Sequence, residues 1–137
     1  MTRSRKLLRL SIISMIHNHN TICVHSVKLI FNEVFTMLRH IVAWNYKDGL
    51  TDRQNKENAQ KIKSEMEALT QCIDGIIELK IHINELPSST RDMVLNSLFE
   101  SEEALAAYQA HPEHKRVGAL VKAATQDRVC IDYHEQG

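Results

Sequence analysis

Two periodicities alternate along the chain from Met37 onward. His40, Val42, Trp44 and Tyr46 interleave with Ile41, Ala43 and Asn45, the period of two that marks a strand. Both faces of this strand are largely apolar, as in a sheet covered on two sides. Lys47-Asp48-Gly49 reads as a turn, and Thr51 or Asp52 can cap a following helix. Ala59, Ile62, Met66, Leu69 and Ile73 recur every three or four residues and make one buried stripe, with Lys56, Lys63, Glu65 and Glu67 toward solvent. Gly75 suits the left-handed end of that helix. Ile77, Leu79, Ile81 and Ile83 alternate with Glu78, Lys80, His82 and Asn84, a second strand with one wetter face. Pro87-Ser88-Ser89 interrupts it, and Met93 to Phe99 form a third strand. Ser101 is placed to cap another helix whose first turn holds Glu102 and Glu103. Pro112 breaks this helix and suits the start of the next, so a kinked pair is predicted over about 102–110 and 112–123. A fourth strand runs from Arg128 to Tyr133.

The order β-α-β-β-α-β predicts an α+β, ferredoxin-like fold with a four-stranded antiparallel sheet. Helices on one side leave the other side bare, and strands 1 and 2 make that bare face apolar. A homodimer joined through the open face of the sheet, a dimeric α/β barrel, is the expected remedy.

Residues 1–36 stand outside this pattern. They carry Arg3, Arg5, Lys6, Arg9 and Lys28 against Glu33 alone, while the remainder is mildly acidic and the whole chain has zero formal charge. They read as a basic extension, or as sequence upstream of a start at Met37, with the compact domain at 37–137. The run from Lys6 to Ile16 has the outline of a secretory leader, but Arg9, Ser11 and Ser14 interrupt it. No stretch approaches the roughly 20 apolar residues of a membrane span. The domain offers no basic stripe for a phosphate backbone, so neither nucleic acid nor membrane is an expected partner. Three widely spaced cysteines, Cys23, Cys72 and Cys130, form neither a disulfide framework nor a metal knuckle, and a reducing, cytoplasmic setting is expected.

The chemistry on offer is histidine chemistry. Eight histidines are many for 137 residues, yet none forms a recognised ligand set with cysteines or carboxylates, so no metal site is expected. The glycines are isolated, without a phosphate-cradling loop, and no cofactor is expected.

Three stretches carry a family resemblance. They are Arg39-His40-Ile41-Val42-Ala43-Trp44; Phe99-Glu100-Ser101-Glu102-Glu103-Ala104-Leu105 with Tyr108-Gln109-Ala110-His111-Pro112-Glu113-His114; and Arg128-Val129-Cys130-Ile131-Asp132-Tyr133. Over 37–137 the chain resembles the stress-responsive α/β-barrel (Dabb) domain. The resemblance implies a small dimeric protein, in some members tied to stress responses, most often without established chemistry. One plant member is a polyketide cyclase that uses a tyrosine and a histidine. The matching positions are Tyr108 and His114, with His40 lining the same cavity. The resemblance also departs from that enzyme. Asp92 stands where the cyclase has a further histidine, and Ile62 where its first helix places a tyrosine, so aromatic cyclisation is not implied.

Two readings of these residues follow. In the first the protein is a binding or structural homodimer, with His111 capping a helix, His114 bonded to backbone and Tyr108 packed as core. In the second it is a cofactor-free acid–base enzyme acting on a small carbonyl compound. His114 takes a proton, Tyr108 donates to the developing enolate oxygen, and His40 orients the substrate. Tyr108 and His114 lie six apart, roughly 120° off a common helical face, so the break at Pro112 must bring them together. A small apolar ligand fits either reading.

Overall fold

The computed structural model describes residues 36–136; the extension, with His17, His19, His25 and Cys23, lies outside the described residues. Strand β1 spans Thr36–Tyr46, helix α1 Asp52–Glu67, β2 Ile76–Ile83, β3 Met93–Phe99, α2 Glu102–Ala110, α3 Pro112–Ala124 and β4 Thr125–Gln136. The sheet order is β2-β3-β1-β4 with every neighbouring pair antiparallel. This is the ferredoxin-like arrangement, an α+β fold with its helices on one side.

The period of two in β1 sorts its residues cleanly. Leu38, His40, Val42 and Trp44 are buried beneath the helices, and Arg39, Ile41 and Ala43 look to the open side. The helix-side core joins them to Leu79 and Ile81 of β2, Met93, Leu95 and Phe99 of β3, and Ala59, Ile62, Met66 and Leu69 from the first helical segment. That segment changes character before its end. Thr51 caps it through a reciprocal bond pair with Gln54, α1 stops at Glu67, and a 3-10 turn covers Ala68–Gln71. Gly75 therefore serves the entry to β2 rather than the helix end. Its φ is +83°, and a Cβ there would lie 2.7 Å from the Cβ of Ala104, so both the backbone and the packing of α2 ask for glycine.

Lys63 and Glu67 do more than face solvent. β2 is an edge strand, and its outward backbone groups at Ile81 need partners. Glu67 accepts the Ile81 N–H at 3.0 Å, and the Lys63 ammonium donates to the Ile81 carbonyl at 2.7 Å. Burial pushes the Glu67 carboxyl up, but Lys63 and the Ile81 N–H together hold it below its ordinary range.

The fourth strand is longer than its apolar letters predict. It begins at Thr125, directly after α3, and reaches Gln136. Its pairing with β1 shifts between Ala43 and Asn45, so Asp127 and Arg128 together oppose one residue, a β-bulge. Asp127 takes φ +53° there, and Asn45 donates a side-chain bond to it at 3.1 Å. β4 adds to the apolar surface that strands 1 and 2 were expected to supply. Val129, Ile131 and Tyr133 of β4 are exposed, as is Ile77 of β2, and β1 turns Ile41 and Ala43 to the open side, while Glu78, Lys80 and His82 are the polar positions of β2. Between β2 and β4, Arg39 bridges Glu78 at 2.7 Å and Glu135 at 2.5 Å and donates to Asn96 at 3.0 Å.

Candidate functional site

The break between α2 and α3 is built by three consecutive residues. His111 is extended, with φ −65° and ψ 136°, and Pro112 occupies the first helical position after it. The Glu113 N–H donates to His111 Nδ1 at 3.1 Å, so this histidine is a helix cap. The turn folds α3 back and brings His114 against Tyr108, their ring centroids 4.2 Å apart. Tyr108 in turn packs on Phe99 at 5.0 Å, and Phe99 meets His40 edge-on at 6.3 Å. The three residues singled out from the sequence are thus joined through one aromatic row.

All three line a pocket of about 400 Å³ between the sheet and the helices. Val42, Trp44 and Leu95 supply its apolar wall, and the exposed Lys122 and Arg128 border it as well. The surroundings of Tyr108 and His114 favour their neutral forms. Tyr108 is fully buried and its hydroxyl donates to Met66 Sδ at 3.2 Å. Burial pushes the phenol well above its ordinary range, so it stays protonated. A thioether is a weak acceptor, which leaves the hydroxyl free to turn to a better one. His114 Nδ1 donates to the Gln109 carbonyl at 3.3 Å. A carbonyl only accepts, so the proton sits on Nδ1 and Nε2 keeps its lone pair. Burial pushes the His114 imidazole below its ordinary value, the charges of His40 and His111 act the same way, and the bond to Gln109 opposes them.

His40 has a partner that local sequence does not reveal. It pairs with Asp132 across β1 and β4, and its Nδ1 donates to Asp132 Oδ1 at 2.5 Å. This bond fixes the tautomer and again leaves Nε2 as the acceptor. Cys130, two residues earlier on the same face of β4, lies 3.7 Å from His40 Nδ1. Burial, then the Asp132 carboxylate, push its thiol up, with Arg128 opposing them. Asp132, Cys130 and Met66 are the neighbours that sequence reasoning missed. The first two are ninety or more positions from His40, and only the strand register joins them. The two positions that differ from the plant cyclase also have places in the fold. Asp92 accepts the Tyr46 N–H at 2.7 Å at the end of the sheet, and Ile62 is core.

Topology and site together define a small ferredoxin-like α+β domain with a pocket between sheet and helices. The profile of the stress responsive A/B barrel domain, Dabb, matches residues 38–135, and the chain belongs to this family. Among solved structures, a dimeric ferredoxin-like protein of unknown function from Bacteroides fragilis is 27% identical, with 72% of this chain and 96% of that one covered and a TM-score of 0.69. A dimeric ferredoxin-like protein of unknown function from Thermobifida fusca is 20% identical, over 74% and 92%, with a TM-score of 0.64. A hydroxynitrile lyase from Passiflora edulis is 18% identical, over 73% and 94%, with a TM-score of 0.62, and shares the fold. No curated protein matches the chain in sequence.

Proposed function

We propose that this chain is a homodimeric, cofactor-free protein that takes a small, mainly apolar carbonyl compound into the pocket and moves a proton on it. The observation that carries the reading is the convergence of His40, Tyr108 and His114 on one pocket of about 400 Å³. Neutral His114, with its Nε2 lone pair, is the base for a hydrogen beside the carbonyl. Tyr108, a protonated donor, turns from Met66 to the oxygen on which charge develops. His40, oriented by Asp132, accepts a bond from the substrate and keeps it in register with His114. Val42, Trp44 and Leu95 favour an apolar body, a size and character usual for small-molecule sites. The likeness to a lyase is consistent with proton-transfer chemistry on this fold, although fold alone does not assign it.

The test is proton exchange in heavy water, followed by NMR, on a panel of small ketones, aldehydes and thioesters. The wild-type chain is expected to accelerate exchange at the α-carbon of at least one compound class. His114→Ala is expected to lower that rate by about 100-fold or more and Tyr108→Phe by about tenfold or more, both with unchanged circular dichroism. Equal rates for wild type and His114→Ala would remove the catalytic assignment.

The reading puts the dimer contact on the open face of the sheet. Ile131 is 60% exposed, Tyr133 46% and Val129 43%, three neighbours on one strand face, and a contiguous apolar patch of this kind favours a partner. Relatives of the same fold are described as dimeric. Sedimentation of a stable monomer at micromolar concentration would overturn this placement.

A further inference from the structure

Three donor atoms of different chemistry meet at the Nδ1 edge of His40, behind the pocket. Cys130 Sγ lies 3.7 Å from His40 Nδ1 and 3.6 Å from Asp132 Oδ1, and the latter two are 2.5 Å apart. All three fall within 4.8 Å of one another. Neither Cys130 nor Asp132 lines the pocket. A tetrahedral zinc ion with ordinary metal–sulfur and metal–nitrogen lengths holds such donors about 3.3–3.6 Å apart. The two sulfur separations, 3.6 and 3.7 Å, are at or just above the top of that range. Only the carboxylate must withdraw, by about 0.8 Å on the same geometry, and Asp132 is exposed on an edge strand and free to turn. His40 is buried at 4% exposure and fixes the position of the first ligand.

We propose that His40 Nδ1, Cys130 Sγ and Asp132 Oδ1 form a binding site for one zinc-type divalent cation, with water completing the tetrahedron. The donor set argues for the class of ion. A thiolate and an imidazole select zinc and its neighbours over magnesium or calcium, which take oxygen ligands. The placement argues that the site is built. Two ligands sit at i and i+2 of one strand, and the third is the cross-strand partner of one of them, so the sheet sets the spacing without a loop. Binding releases the thiol proton to solvent. The imidazole keeps its single proton, which moves from Nδ1 to Nε2. The pocket side of His40 thereby changes from an acceptor to a donor. The site stands on geometry alone, while the effect of this change on turnover rests on the proposed function.

The test uses the full chain, purified without a metal column and stripped with chelator, with Co²⁺ alone as the probe and Zn²⁺ as competitor. One Co²⁺ per chain is expected to give a thiolate-to-cobalt charge-transfer band that Zn²⁺ abolishes. Cys130→Ser is expected to remove that band and weaken binding by more than the roughly 10–100-fold that follows loss of a supporting partner. Asp132→Asn is expected to weaken it measurably with the fold intact. Nitrogen NMR of His40 is expected to show the proton move to Nε2 on saturation with Zn²⁺. A band that survives Cys130→Ser, arising from Cys23 or Cys72, would overturn the proposal. So would a His40 that keeps its Nδ1 proton at saturation. Proton exchange plays no part in these readouts, so failure here and failure of the pocket reading are separate results.

Discussion

The two sides of the sheet are made by the same strands and solve opposite problems. On the helix side, β1 contributes Leu38, His40, Val42 and Trp44, all buried, and His40, Tyr108 and His114 line the pocket there. On the open side, β4 leaves Val129, Ile131 and Tyr133 in solvent, and the half-buried Arg39 is clamped by Glu78 and Glu135. On the proposed reading, chemistry belongs to the covered side and association to the bare one. A single substitution can therefore be aimed at one without the other.

Phe99→Ala is the harshest way to break this division. Phe99 is fully buried between His40 and Tyr108, so its loss leaves a cavity in the covered side. A cost of about 3–5 kcal/mol is expected in chemical denaturation, with no direct effect on the open face. Ile131→Lys reverses the pattern. It is expected to weaken self-association by about 2–3 kcal/mol, roughly 100-fold, in sedimentation experiments, while the circular dichroism of the protomer is kept.

These contrasts also explain what the sequence could reveal. Features that repeat within one element were legible: the alternation in β1, the stripe from Ala59 to Ile73, the caps at Thr51 and Ser101, and the break at Pro112. Each depends on neighbours no more than four residues away. The start of β4 was not, because Thr125 to Asp127 are polar and are held by pairing with distant β1. The approach of Tyr108 to His114 followed from family resemblance, since helical spacing alone separates them. Asp132 and Cys130 escaped both routes. Their meeting with His40 depends on a register set by the bulge, and nothing within their own strand announces it.

Two smaller effects are expected on the covered side. Ser101 caps α2 by accepting the Ala104 N–H at 3.1 Å, and Ser101→Ala is expected to cost about 1 kcal/mol in thermal or chemical unfolding. The smallest effect is a dependence on pH. Burial holds the folded His114 below the unfolded value of about 6.5, so the unfolded chain binds more protons between the two values. Stability from neutral His114 is full above the unfolded value and is lost as pH falls toward the folded one. Melting temperature is expected to fall from pH 7 to 5, and His114→Gln is expected to flatten part of that slope relative to wild type.

The bulge at Asp127 and Arg128 acts as a punctuation mark in β4. Beyond it, the alternate letters of the strand spell two messages: Cys130 and Asp132 toward the helices, Val129, Ile131 and Tyr133 toward the open side. Flattening the bulge while keeping every residue would shift the reading frame by one, turning Cys130 and Asp132 outward and the apolar residues inward. Deleting one of its two residues would leave the frame intact, whereas deleting one between Val129 and Asp132 would scramble both messages at once. Across the lineage of this domain, length changes in the strand should therefore be tolerated at the mark and purged a few residues beyond it.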